Sequence, residues 1–197
     1  MRLTLLGAGA MASPRYAPAG LLVERRRHRV MLDGGPGAEP KGRLHAWLVT
    51  DERAELIARI RRLAGARGLR PRVAGYSAGD LRIRPRPVAH TSHRTYGYLI
   101  QVPGRTAVWA PEFFRFPRWA EGADLMFADA AGWDRSIRFA GGVGGHAAAL
   151  EVAEEARRRG VRRLVFAHIG RPTLRALDGG ARPPYGQMGE EGRVYRP

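Results

Sequence analysis

The stretch from Gly144 to Pro172, GGHAAALEVAEEARRRGVRRLVFAHIGRP, constrains the fold more than any other part of the chain. It reads as a helix followed by a strand, with one histidine at the entrance and another at the exit. Ala149, Val152, Ala153 and Ala156 recur at helical spacing and form one apolar stripe. Glu151, Glu154 and Glu155 lie in the N-terminal half and Arg157 to Arg159 in the last turn, as the helix macrodipole favours. Glu154 with Arg158, and Glu155 with Arg159, add ion pairs one turn apart. Gly160 stops the helix, and Leu164 to Ala167 reads as a buried strand. His146 stands just before the helix, and His168 where the strand runs out. Two readings of this pair stay open. A helix–strand unit that returns its end to its start brings both imidazoles to one rim; alternatively one histidine caps a helix, the other closes a strand, and they share no task.

The chain has 197 residues, enough for one domain that buries roughly 70% of its unfolded surface. No apolar run approaches the ~20 residues of a membrane span, so no membrane partner is expected. Met1 to Ala12 carries Arg2, a short apolar core and Ala-x-Ala-like residues, as signal peptides do, but the core falls short of the ~7–15 residues a signal needs. It reads as a strand, and a cytoplasmic location is the expectation. Cysteine is absent, which excludes disulfides and thiolate metal sites. Asparagine is absent too and Lys41 is the only lysine, a pattern shared by thermophiles and by a coding bias toward arginine. The formal charge of +16 at pH 7 predicts attraction to polyanions, nucleic acid first among them. That charge is spread over Arg25–Arg27, Arg59–Arg62, Arg82–Arg86 and Arg157–Arg163. Arg82, Arg84 and Arg86 alternate and would line one face of a strand, either as a phosphate-tracking stripe or as a solvated face. Few aromatics are interleaved with them, so a base-stacking platform is not indicated.

In chain order, Leu3 to Leu6 is a strand, followed by Gly7-Ala-Gly9-Ala-Met-Ala12. That string matches a dinucleotide-binding fingerprint, which needs a helix to begin there. Pro14 and Pro18 forbid one, leaving a glycine-rich loop at the edge of a site. Leu21–Glu24 and Arg29–Leu32 form a hairpin across Arg25–His28, ending in Asp33 beside a flexible Gly-Gly-Pro-Gly loop. Leu44–Val49 is a strand, and Thr50 and Asp51 then read as a helix start, with Leu56, Ile57, Ile60, Leu63 and Ala64 as its buried stripe. Gly68 to Asp80 is largely loop with one short strand near Val73. Strands follow at Leu81–Ala89, Tyr96–Val102, Thr106–Trp109 and Asp124–Phe127. A glycine-rich loop then leads to His146, and residues 178–197 read as an irregular tail. This order implies an α+β fold: two sheets with helices outside. Asp33, His90, Glu112, Asp129 and His168 all fall at strand ends, which is the arrangement a metal site requires.

On these segments the sequence resembles the metallo-β-lactamase superfamily, nearest its ribonuclease Z and cyclic-phosphodiesterase branch. LTLLGAGA resembles the first strand and glycine loop, and RVMLDGGPG the hairpin ending in a supporting aspartate, here Asp33. PVAHTSHRTYGYLIQV is similar to the segment that places a metal-binding histidine, here His90. TAVWAPEFF resembles the strand delivering a metal-bridging aspartate, with Glu112 in its stead. The Gly144–Pro172 block resembles the last motif, whose first histidine assists catalysis and whose second binds metal; those roles fall to His146 and His168. The resemblance implies one domain over residues 1–197, an αββα four-layer sandwich of metallo-β-lactamase type, and a homodimer.

The branch's defining motif, T-H-x-H-x-D-H, is degenerate here. In LHAWLVTDERAELI, Asp51 and Arg53 stand at the paired histidines, Glu55 at the aspartate and Leu56 at the last histidine. Arginine and leucine cannot ligate a cation, so a dinuclear zinc site is not expected. What remains is a reduced site of His90, Glu112 and His168, with Asp51 or Glu55, holding one zinc, iron or manganese ion. Asp33 and Asp129 would support it and His146 would act as the proton donor. The competing reading is that Arg53 pairs with Glu112 and an ion pair replaces the metal. Two functions follow: hydrolysis of a small phosphodiester or ester, or an inactive member of the fold that binds an anionic partner such as nucleic acid through its arginines. Pro103-Gly104 closes a tight hairpin where ribonuclease Z enzymes insert their tRNA-binding arm, so tRNA processing of that kind is not expected.

Overall fold

Alternation in two hairpin strands sets the layers of the molecule. In the computed structural model, which describes residues 1–197, β2 (Gly20–Arg25) and β3 (His28–Asp33) pair antiparallel. Leu21, Val23, Val30 and Leu32 point into the central core, while Leu22 and Met31 point the other way. Successive strand residues face opposite sides of a sheet, so this sheet needs two apolar covers. The outer one is α1 (Ile57–Gly65), which lays Ile60 and Ala64 over Leu22, Met31 and Trp47. The inner one is a second sheet.

The first sheet also contains β1 (Arg2–Gly7) and β4 (Ala46–Leu48). The second is built on β5 (Tyr76–Ala78), β6 (Leu81–Val88), β7 (Thr95–Val102), β8 (Arg105–Ala110), β9 (Leu125–Ala130) and β12 (Leu164–Ile169). A small ladder of β10 (Ile137–Arg138) and β11 (Gly145–His146) stands apart. Strands β5 to β8 run antiparallel, but β8, β9 and β12 run parallel to one another. Parallel strands need a crossover, and α2 (Ala149–Arg158) supplies it between β9 and β12. Its stripe of Ala149, Val152, Ala153 and Ala156 is buried as the spacing predicts, covering the outer face of this sheet. β9 and β12 are therefore buried along their whole length, as parallel strands covered on both faces are. The result is the expected αββα sandwich.

Four expectations change. Thr50 and Asp51 do not cap α1; it starts six residues later with Leu56 at its N-cap and no side-chain bond there. Both residues are taken up by the site described below. The short strand expected near Val73 lies at Tyr76–Ala78. An unexpected helix, α3 (Arg171–Asp178), follows β12. Pro172 sits in its first turn, where a missing N–H costs nothing, and Thr173 Oγ1 anchors it by donating to the Ala130 carbonyl at 2.6 Å. The tail beyond it is not wholly irregular: β13 (Gln187–Met188) joins β12 in the second sheet and β14 (Val194–Tyr195) joins β1 in the first. No helix is long and apolar enough to cross a membrane.

Candidate functional site

The carboxyl ends of the three parallel strands converge on one cleft. Glu112 follows β8, Asp129 lies near the end of β9, and His168 lies near the end of β12. Ligand sites of open α/β sheets form at such ends. In β12 the register with β9 shifts between Phe166 and Ile169, and His168 takes φ 57°. This irregularity turns its side chain toward the cleft, as bulges next to active sites do. The glycine loop after β1 closes the near edge: Ile169 N–H donates to the Ala8 carbonyl at 2.7 Å, and Ala10 N–H to the Ile169 carbonyl at 3.1 Å.

Glu112 is the centre of the arrangement. Its Oε2 lies 3.2 Å from His90 Nε2 and its Oε1 3.2 Å from His168 Nδ1. His90 is fixed from behind, its Nδ1 donating to the Gly145 carbonyl at 2.8 Å. Gly145 is required there: a Cβ on it would stand 1.8 Å from the Ile137 carbonyl oxygen. Beside this trio, His146 Nδ1 lies 2.7 Å from Asp129 Oδ2. Asp129 is fully buried and also accepts the Phe113 and Ala131 amides at 3.0 and 2.9 Å. The three imidazoles pack together, with His146 4.7 Å from His90 and stacked 5.1 Å from His168 between ring centres. The reading in which His146 and His168 share one rim therefore holds.

Burial opposes the charge on each of these groups, and their neighbours decide the outcome. For Glu112, the imidazoles of His168 and His90 outweigh burial and hold its carboxyl well below the usual carboxylate range. His90 is raised despite burial because it faces Glu112. His146 is raised despite burial because it faces Asp129. For His168 burial wins and pushes the imidazole down. Asp33 lies at the end of β3 with φ 50°. It accepts Thr50 N–H and Oγ1–H at 2.7 and 3.0 Å and Trp109 Nε1–H at 2.7 Å. Burial nonetheless pushes its carboxyl up to about 7, against those hydrogen bonds.

Asp51 belongs to a different pair. Its Oδ2 lies 2.8 Å from His93 Nε2 and its Oδ1 accepts the Arg53 amide at 2.7 Å. No local sequence pattern links His93 to a carboxylate 42 residues away. Glu55 and Arg53 are exposed at the rim. The alternative ion pair of Arg53 with Glu112 does not form; the two imidazoles take both oxygens instead. All of these groups except Asp33 and Asp129 line one open cleft of about 510 Å³, together with Arg171 and Met11.

The metal that the fold family implies would need these donors to share one point. His90, Glu112 and His168 have suitable chemistry, but they meet as one carboxylate shared between two imidazoles. No three histidine, aspartate or glutamate side chains surround a common point in ligand geometry. Asp51, Asp33 and Asp129 are each committed to other partners. As arranged, the residues do not fit a metal ion.

The structure is similar to the metallo-β-lactamase fold protein YhfI from Bacillus subtilis, at 16% identity and a TM-score of 0.74, with 99% of each chain covered. A diphosphatase of the PhnP family superposes at 17% identity and TM-score 0.73, covering 99% of this chain and 97% of that one. The short form of human tRNase Z gives 14% identity and TM-score 0.67, covering 100% and 99%. At such identities the likeness is one of fold. A comparison with curated protein sequences finds no match. The family model described as a beta-lactamase superfamily domain matches residues 19–169, and with that match over most of its length the chain belongs to this superfamily and has its metallo-β-lactamase fold.

Proposed function

We propose that the cleft hydrolyses a small phosphodiester or ester, with His146 as its proton donor. The observation that carries this reading is the His146–Asp129 pair, 2.7 Å apart, opening onto a cleft that also holds His90, His93 and His168. With Nδ1 committed to the buried Asp129, the Nε2 of His146 is the atom left to meet a substrate. The raised affinity of this ring for its proton suits a general acid at neutral pH. His93, whose Nε2 is committed to Asp51, offers Nδ1 as acceptor for the proton of an attacking water. The water oxygen forms the new bond to phosphorus, the bond to the leaving oxygen breaks, and that oxygen takes the proton of His146. Arg53 and Arg171 line the same cleft and supply charge for the non-bridging oxygens. The PhnP-family diphosphatase and tRNase Z share this fold, which supports a phosphoester substrate class.

The test is turnover of a 2′,3′-cyclic nucleotide and ethyl acetate, whose alkoxide leaving groups need a proton, by wild type, His146→Ala and Asp129→Asn. Loss of a general acid lowers kcat by about 10²–10⁴, and His146→Ala should fall by that much on whichever substrate is cleaved. Asp129→Asn removes the charge that raises His146, so the alkaline limb of its pH–rate profile should move to lower pH. Unchanged turnover in His146→Ala would sink the assignment. Failure of the wild type to cleave either substrate would favour the inactive, anion-binding member of the fold.

A further inference from the structure

The family's metal centre requires donors that this chain has either lost or redirected, and one residue stands in the space that remains. Where the resemblance sets an aspartate, Glu112 carries its carboxylate about 1.5 Å further from the backbone, the length of one carbon–carbon bond. That extra reach puts one oxygen against His90 and the other against His168, each at 3.2 Å. The orientation of His90 is fixed independently, because its Nδ1 hydrogen goes to the Gly145 carbonyl. Its Nε2 therefore faces the carboxylate. Both rings are buried, and the carboxylate is held between them with one oxygen on each.

Three of the remaining carboxylates are also spoken for, and Glu55 stands exposed at the rim of the cleft. Asp51, at the place of the first motif histidine, holds His93 and the Arg53 amide. Asp33 holds Thr50 and Trp109, and Asp129 holds His146 and two backbone amides. Arg53 brings a fixed positive charge to the same cleft, which opposes a divalent cation. We propose that this cleft is metal-independent, the Glu112 carboxylate clamping His90 and His168 in the place where a relative's cation sits. This goes beyond the hydrolytic reading and does not depend on it, since metal content and turnover are separate readouts.

The experiment is elemental analysis of untagged protein purified without added metal, followed by calorimetric titration with Zn²⁺, Mn²⁺ and Fe²⁺. Wild type, Glu112→Asp, His168→Gly and His28→Ala are compared. Glycine is chosen at 168 because it accepts the φ of 57° found there. The wild type is expected to carry well under one equivalent of metal and to show no binding that His168→Gly removes. Zinc held at the surface by His28 and His45, whose rings lie 5.1 Å apart, would be identified by its loss in His28→Ala. Glu112→Asp withdraws the carboxylate from both rings and should bind Zn²⁺ roughly tenfold or more tightly than wild type, the scale on which groups around a metal alter affinity. About one equivalent of metal in the wild type, lost in His168→Gly, would overturn the proposal. So would a Glu112→Asp protein that binds Zn²⁺ no better than wild type.

Discussion

At the scale of single residues, two members of the site hold backbone conformations that side chains other than glycine rarely adopt. Asp33 sits at φ 50° and His168 at φ 57°, and such strain concentrates where function over-determines the geometry. Asp33 adds an electrostatic cost, because burial pushes its carboxyl from 3.8 up to about 7. An acid raised on folding favours the folded state fully below its unfolded value and loses that contribution as pH rises through its folded value. The window is therefore pH 3.8 to 7, and the loss is on the order of 4 kcal/mol at 1.36 kcal/mol per pKa unit. Asp33→Asn removes the titration but keeps only one acceptor for Thr50 and Trp109. It should be less stable than wild type at pH 5, with the gap narrowing by pH 8; a gap constant with pH in denaturant titrations would show that Asp33 does not titrate in this window. The sequence shows His90, Glu112, His146 and His168 because each ends or begins a strongly patterned element. It hides the Asp51–His93 pair because both residues lie in loops, and only the packing of the two sheets brings those loops together.

At the scale of elements, legibility follows length. The hairpin of β2 and β3, the helix α2 and the strands β6 and β7 each bury a periodic face, while β8, β9 and β12 are short apolar runs, and both signals are written in the sequence. β13 and β14 have two residues each, too few for any period, and they form because sheet edges already exist to receive them. Helix α1 starts late for a related reason. Thr50 and Asp51 have good N-cap side chains, but Asp33 and His93 compete for them and win. The tail is nevertheless structural. Tyr195 is fully buried, packs edge-on against Phe127 with ring centres 5.2 Å apart, and its hydroxyl accepts the Glu190 amide at 3.1 Å. Tyr195→Ala should cost about 3–5 kcal/mol, as for other large aromatic side chains removed from a core. The check is the chemical denaturation midpoint, and a loss below about 1 kcal/mol would mean that β14 merely rests on the surface.

At the scale of the whole molecule, the charge of +16 is neither a tail nor a single patch, and the fold shows how it is distributed. Part of it is neutralised locally, as in the Arg25–Asp80, Arg29–Glu24 and Arg159–Glu155 pairs. Arg82, Arg84 and Arg86 are different. They alternate along β6 while Leu81 and Ile83 point inward, and Arg84 and Arg86 are exposed. The alternation read from the sequence is therefore a real row of cations on the outer face of the second sheet, beside the antiparallel strands that α2 leaves uncovered. A row of this kind attracts phosphate backbones without reading bases, since no aromatic residue lies between these arginines along β6. Each phosphate neutralised contributes about 0.9 to the slope of log K against log salt on duplex DNA. Replacing all three arginines by glutamine should weaken binding of a duplex oligonucleotide equally for any sequence and lower that slope by up to about 2.7. Fluorescence anisotropy across a salt series reads both quantities. An unchanged slope in the triple variant would mean that the row is only a solvated face, and that any polyanion attraction comes from charge elsewhere on the molecule.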